Sequence, residues 1–241
     1  MDSGKRKQER QFHGRRKSRP LGKVKRTILD EILPEVTISL PDSSAAGSIR
    51  PEQIFNGDVA GRMTDESSQY WLEIGFGGGE HMLEQAKNNP TVGYIGAEPF
   101  INGVAKAAAG IKNRNLKNVR LLVDDVRMLL RRLPDHSLDK VFILFPDPWP
   151  KKRHFKRRII QKSLINNLHR VLKPGAELVI ATDHADYLEW ILNIFSDQAF
   201  FTRQTDDRQS IYQRPDFWIS TKYEQKALAE GRKPAYLFFC S

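Results

Sequence analysis

Leu72-Glu73-Ile74-Gly75-Phe76-Gly77-Gly78-Gly79-Glu80 changes character halfway along: an apolar run ends, glycines follow, and a charged residue opens a stretch with helical spacing. A strand that runs into a glycine turn and then a helix places a ligand at the carboxyl end of a parallel sheet. Glycine serves there because the chain turns sharply and because a ligand can approach backbone that carries no Cβ. A dinucleotide fingerprint would need glycine at positions 75, 77 and 80. The third is Glu80, whose carboxylate opposes a pyrophosphate at a helix N-terminus, so a dehydrogenase reading is disfavoured. The pattern present is Glu-x-Gly-x-Gly-x-Gly, with Glu73 inside the strand end.

Outward from this loop, short apolar runs at 70–74, 92–97, 119–123, 141–145 and 177–181 read as strands. Helical patterns at 80–87, 101–113, 127–133, 157–172 and 185–195 alternate with them, which predicts an α/β fold on a parallel sheet. Lys173-Pro174-Gly175 reads as a helix stop before the next strand. The region 199–239 adds two more strands around a polar insert. Acids stand at successive strand ends: Glu98, 21 residues after Gly77, and the pair Asp124-Asp125. Glu98 is placed to accept from both hydroxyls of a ribose. Asp125 is placed to meet an adenine amino group, with Asp124 as its competitor. A ligand with a cationic amine or sulfonium suits these acids better than a phosphate, and S-adenosylmethionine carries both.

Phe145-Pro146-Asp147-Pro148-Trp149 follows the fourth strand and runs into six Lys and Arg among the nine residues 150–158. Three prolines fix φ near −65° and bias the residues before them away from helix, which predicts an extended Phe145, Asp147 and Trp149. His154 and Phe155 interrupt the cations with flat rings able to stack on bases. A carboxylate beside such a strip points to a polyanionic substrate.

The chain of 241 residues carries a net charge of +10, and residues 1–26, with eleven Lys and Arg against Asp2 and Glu9, hold nine of those charges. That division predicts a basic, flexible arm and connector over 1–50 and one domain over 51–241. Residues 28–40 read as a short helix ending near Pro34, followed by an extended piece. There is no run long enough for a membrane span and no apolar core of a secretory signal in the arm, so a soluble, cytoplasmic protein is expected. Cys240 is the only cysteine and the six histidines lack ligand spacing, so no metal is expected.

Taken together, the motifs Glu73-Ile74-Gly75-Phe76-Gly77, Gly96-Ala97-Glu98-Pro99-Phe100, Asp125-Val126, Phe145-Pro146-Asp147-Pro148-Trp149, Lys156-Arg157-Arg158, Ala181-Thr182-Asp183 and Thr221-Lys222-Tyr223-Glu224 resemble the bacterial tRNA (guanine-N7)-methyltransferases. The resemblance spans about 71–239, and the Pro-Asp-Pro-Trp element with its basic strip is its most specific part. It implies a Rossmann-like class I methyltransferase fold, a mostly parallel seven-stranded sheet with helices on both faces. It implies S-adenosyl-L-methionine as cofactor, held by Glu73, Gly75, Gly77, Glu98, Asp125 and Asp147, with Asp147 catalytic. It implies a tRNA substrate modified at position 46 of the variable loop, met by Lys151, Arg153, His154, Phe155, Lys156, Arg157, Arg158, Asp183, Thr221, Lys222, Tyr223 and Glu224. The sequence does not choose between monomer and homodimer. Two other readings stay open at this point: a class I methyltransferase acting on ribosomal RNA or a small molecule, and a non-catalytic RNA-binding module on the same fold.

Overall fold

The computed structural model describes residues 13–14, 16, 20–55, 68–205, 207, 209–216 and 218–241. Helices α1 (Lys23–Val36) and α2 (Pro51–Phe55) come first. Then β1 (Gln69–Ile74), α3 (Glu80–Asn88), β2 (Val92–Ala97), α4 (Ile101–Arg114), β3 (Val119–Leu122), α5 (Val126–Leu130) and β4 (Leu138–Leu144) alternate. A 3-10 turn over Lys152–Arg157 leads to α6 (Lys162–Val171), β5 (Leu172–Thr182), α7 (Ala185–Ser196) and β6 (Thr202–Arg203). A second 3-10 turn (Ser210–Tyr212), α8 (Lys222–Ala229) and β7 (Ala235–Cys240) complete the chain.

The seven strands lie in the order β3-β2-β1-β4-β5-β7-β6. Strands β1 to β5 pair in parallel, β7 runs antiparallel to β5, and β6 antiparallel to β7. The chain leaves β1 toward β2 on one side and returns at β4 on the other, so the loops after β1 and β4 diverge and open a crevice at the strands' carboxyl ends. Period-2 alternation feeds two apolar layers. Leu72 and Ile74 join Leu129, Leu164, Leu168, Leu188 and Ile191 from α5, α6 and α7 on one face. Phe142 and Val179 join Met82, Leu83, Val104 and Ala108 from α3 and α4 on the other. Strand β2 is buried at every position, as a parallel strand covered on both faces must be.

Three local expectations change. Helix α1 runs through Pro34 to Val36 instead of stopping there. A proline this near a C-terminus removes one hydrogen bond, and Thr37 N–H still reaches Leu33 O at 2.9 Å. The burial of Leu29 and Val36 against α4 and β3 holds the last turn. Ile38 and Ile49 are buried in the same apolar layer as Leu72 and Ile74. The helix expected at 157–172 begins only at Lys162, because Arg158 and Gln161 have extended backbone (ψ 132° and 157°), and the Gln161 side-chain amide donates to the Phe155 and Arg158 carbonyls (2.8 and 3.1 Å). Lys173-Pro174-Gly175 ends α6 as expected, yet it lies inside β5, where the pairing with β4 shifts register between Leu138 and Lys140.

Candidate active site

The crevice holds a cavity of about 480 Å³ walled by the ends of β1 to β4. Its floor is the glycine loop. Gly75 and Gly77 have φ of 75° and 56°, a left-handed conformation that side chains resist. Gly75 N–H donates to Ala97 O at 2.8 Å, which ties the loop to β2. A Cβ on Gly75 would meet nothing within 4 Å, so the space above it is open to a ligand. On the other side the loop presses on α4: a Cβ on Gly103 would lie 2.2 Å from the Gly77 carbonyl oxygen.

Glu98, Asp124, Asp125 and Asp147 line the walls. Glu98 is buried and accepts from the backbone N–H groups of Gly77 and Phe100, both at 2.9 Å. Burial raises its pKa, helped by the Asp147 charge and opposed by those two donors. A carboxylate has about four lone-pair sites, so two remain for a ligand's hydroxyls. Asp125 caps α5, accepting from Arg127 N–H at 3.0 Å and from its guanidinium at 3.2 Å. Asp124 accepts from Asp125 N–H at 2.8 Å and pairs with Arg16, whose carbonyl takes Ile101 N–H at 3.0 Å. Nearby, His13 and Gly14 form part of the cavity wall. Desolvation and the nearby Arg157 and Arg127 lower the His13 pKa.

Glu73 is not in that lining. It lies between Leu72 and Ile74 in the alternation, so it faces the α3 and α4 layer, buried, accepting from His81 Nδ1 at 2.7 Å and Tyr94 OH at 3.1 Å.

Asp147 stands at the open end of the cavity with solvent on one side, and desolvation by the walls still raises its pKa. The loop that presents it is not extended as expected. Phe145 and Trp149 have φ of 50° and 44°, and each precedes a proline. A residue so held costs about 1–2 kcal/mol, which the surroundings must offset. The chain needs this sharp reversal because Phe145 N–H is still bonded to Ala181 O at 2.8 Å, at the very end of the sheet.

The basic strip divides by depth. Lys151, Arg153 and Lys156 are exposed. Arg157 lies 5.1 Å over the Trp149 ring and shares the cavity wall, while His154 meets the same ring edge-on at 5.7 Å. Phe155 is half-buried and leans on Trp190 at 5.5 Å, while Arg158 is only 1% exposed and so is a packing residue and not a free contact, contrary to the sequence reading. Asp183 is held by Arg232 Nε at 2.6 Å. Thr221 caps α8 by accepting from Glu224 N–H at 3.1 Å, and Glu224 is fully buried with Trp218 and Tyr236 donating to it. Lys222 and Tyr223 face outward, and Tyr223 closes the cavity over Gly77. The sequence reading passed over His13, Arg127 and Ile159 as wall residues. Arg127 carried the one available signal, its place two residues beyond Asp125.

Among the described residues no group of three His, Cys, Asp or Glu is placed to hold a metal ion, and no helix is long and apolar enough to cross a membrane. The profile of a family described as putative methyltransferases matches residues 67–237. A tRNA (guanine-N(7)-)-methyltransferase of Rhodospirillum rubrum is 43% identical over 236 residues, covering 96% of this chain and 88% of that protein. One from Ruegeria pomeroyi is 45% identical over 231 residues, covering 95% and 94%. The chain belongs to the tRNA (guanine-N7)-methyltransferase family. Among solved structures, an antibiotic-related methyltransferase superposes with a TM-score of 0.52 at 17% identity, covering 84% of this chain and 99% of that one. That likeness shows the methyltransferase fold, here a seven-stranded, mostly parallel sheet covered by helices.

Proposed function

We propose that the protein moves the methyl group of S-adenosylmethionine to N7 of a guanine in tRNA, at position 46 of the variable loop, making 7-methylguanosine. The carrying observation is that Asp147 stands where the donor cavity meets the cationic strip, with Arg157 common to both. The cavity fits the donor. Gly75 leaves open room, Glu98 offers free lone pairs beside two bound amides, and the walls carry four carboxylates suited to an ammonium and a sulfonium. Bound there, S-adenosylmethionine supplies an electrophilic methyl carbon, and the purine that accepts it becomes cationic.

Guanine N7 has an in-plane lone pair and no proton, so the protein needs no general base. Its residues must align the base, and orientation of this kind is worth about 7–11 kcal/mol. Asp147 is placed to accept from the base N–H edge and to stabilise the charge as it develops. Its raised pKa means that this service fades as pH falls toward the upper carboxylate range. The exposed Lys151, Arg153 and Lys156 are placed for phosphates, whose contacts offset the few kcal/mol needed to extract a base from tertiary structure. Incubation of unmodified tRNA with labelled donor, followed by mapping of the modified base, tests the reading. Label on guanine N7 is expected. Label on ribosomal RNA alone, or donor binding with no transfer, would favour the rival readings.

A further inference from the structure

The loop that carries Asp147 is short of hydrogen-bond donors. Pro146, Pro148 and Pro150 have no N–H, so only Asp147 and Trp149 among residues 146–150 can donate from the backbone. Two strained residues bracket the acid. Something outside the loop must hold it, and the hold has to be on its carbonyls. The Pro148 carbonyl, next to Asp147, accepts from Arg158 Nε at 2.8 Å.

Arg158 is built in for this. Its guanidinium lies 3.7 Å over the Phe155 ring, 4.9 Å from Tyr187 and 5.2 Å from Trp190. Its far end pairs with Asp186 in the first turn of α7. The arginine side chain is 0% exposed while the aspartate side chain is 54% exposed. The box is fixed in turn: Trp190 Nε1 donates to Ile160 O at 2.8 Å, and Ile160 N–H reaches Tyr187 OH at 3.2 Å. A phosphate cannot touch a guanidinium with no surface, so the charge of Arg158 is spent on geometry. A rigid planar fork that bonds a carbonyl and a carboxylate at once is a task for arginine, not for lysine.

We propose that Arg158 is a positioning residue that sets Asp147 through the Pro148 carbonyl, that Asp186 orients it from α7, and that it makes no contact with RNA. The inference rests on the methyl-transfer reading above. Failure of that reading would show in the wild-type enzyme, whereas failure of this one shows only in the variants.

The test compares wild type, Arg158→Lys and Asp186→Asn, measuring the single-turnover rate at saturating tRNA and donor, the tRNA Kd and its salt dependence. Arg158→Lys is expected to lose about 10²-fold in single-turnover rate, the scale of a misplacement of about 1 Å. Asp186→Asn, altered at a half-exposed site, should lose about fivefold, since a neutral acceptor holds the fork less well than a charged one. In both, tRNA affinity and the slope of log K against log salt should match wild type. A slope shallower by about 0.7 with a wild-type rate at saturation would make Arg158 a phosphate contact and overturn the proposal. Should Arg158→Lys not fold, a wild-type rate in Asp186→Asn would overturn it equally.

Discussion

Gly103→Ala should cripple donor binding although it adds one methyl group to a helix. By propensity alone the change would favour α4 by about 0.8–1.0 kcal/mol. The new Cβ, however, would sit 2.2 Å from the Gly77 carbonyl oxygen and 2.9 Å from its carbonyl carbon, and both are backbone atoms with no rotamer to escape into. Carbon and oxygen in favourable contact stand about 3.3–3.6 Å apart, so the loop must retreat by about 1 Å. Overpacking of this sort costs about 1–3 kcal/mol, which leaves a net stability loss of about 0–2 kcal/mol, or a few degrees in Tm for a chain of this size. The site suffers more than the fold. The Gly77 N–H that anchors Glu98 moves with the loop, so the Kd for S-adenosylmethionine should rise at least tenfold, about 1.4 kcal/mol. Calorimetric titration with the donor, alongside thermal unfolding, separates the two effects. Gly110→Ala in the same helix is the control, because its Cβ would meet the terminal Leu83 Cδ1 at 2.3 Å, a group that can rotate away. Unaltered donor affinity in folded Gly103→Ala would refute the claim that loop and helix pack backbone to backbone.

Asp147→Asn should lower the transfer rate about 10²–10³-fold with a smaller effect on donor affinity, read by single-turnover assay. Because burial raises the folded pKa of Asp147, the native chain keeps a proton that the unfolded chain has already lost. The ionised acid therefore costs stability above its unfolded value near about 4, a cost that vanishes as pH falls below that value. Asp147→Asn should accordingly raise Tm at pH 7 but not at acid pH, and an equal rise at both would contradict this. Arg153→Ala and Lys156→Ala should each make the salt slope of tRNA binding shallower by about 0.7 without changing the saturated rate, as filter binding over a salt series can show. Glu224→Ala should cost about 3 kcal/mol in urea unfolding by stranding the Trp218 and Tyr236 donors, whereas a loss of tRNA affinity at full stability would return Glu224 to the substrate surface.

The sequence was most informative where physics is local. Apolar runs and glycines predicted β1 to β5, and the helix stop at Lys173-Pro174-Gly175 fell at the end of α6. Failures came where a distant partner overrode a local rule. Proline at 34 did not end α1, because Leu29 and Val36 pack on α4 and β3. Prolines did not keep Phe145 and Trp149 extended, because the sheet end and Arg158 bend the loop. Reading Arg158 as an RNA contact failed because the strip's own Phe155 and the distant Tyr187 and Trp190 enclose it.

By itself the chain determined that a strand meets a glycine loop, that acids follow at the strand ends, and that a carboxylate adjoins a cationic strip. Those are statements about neighbours in sequence, governed by backbone periodicity and by the conformations glycine and proline allow. Tertiary structure alone decided which way each charge faces. Glu73 turned inward to His81, Glu224 turned into the core beneath Trp218 and Tyr236, and Asp183 was taken by Arg232. It also paired Arg16 with Asp124 and closed Arg158 against Asp186. A buried charge is tolerated only beside a partner, and the ion-pair partners of Glu73, Asp183, Arg158 and Asp124 lie between 8 and 108 residues away, beyond the reach of any local pattern.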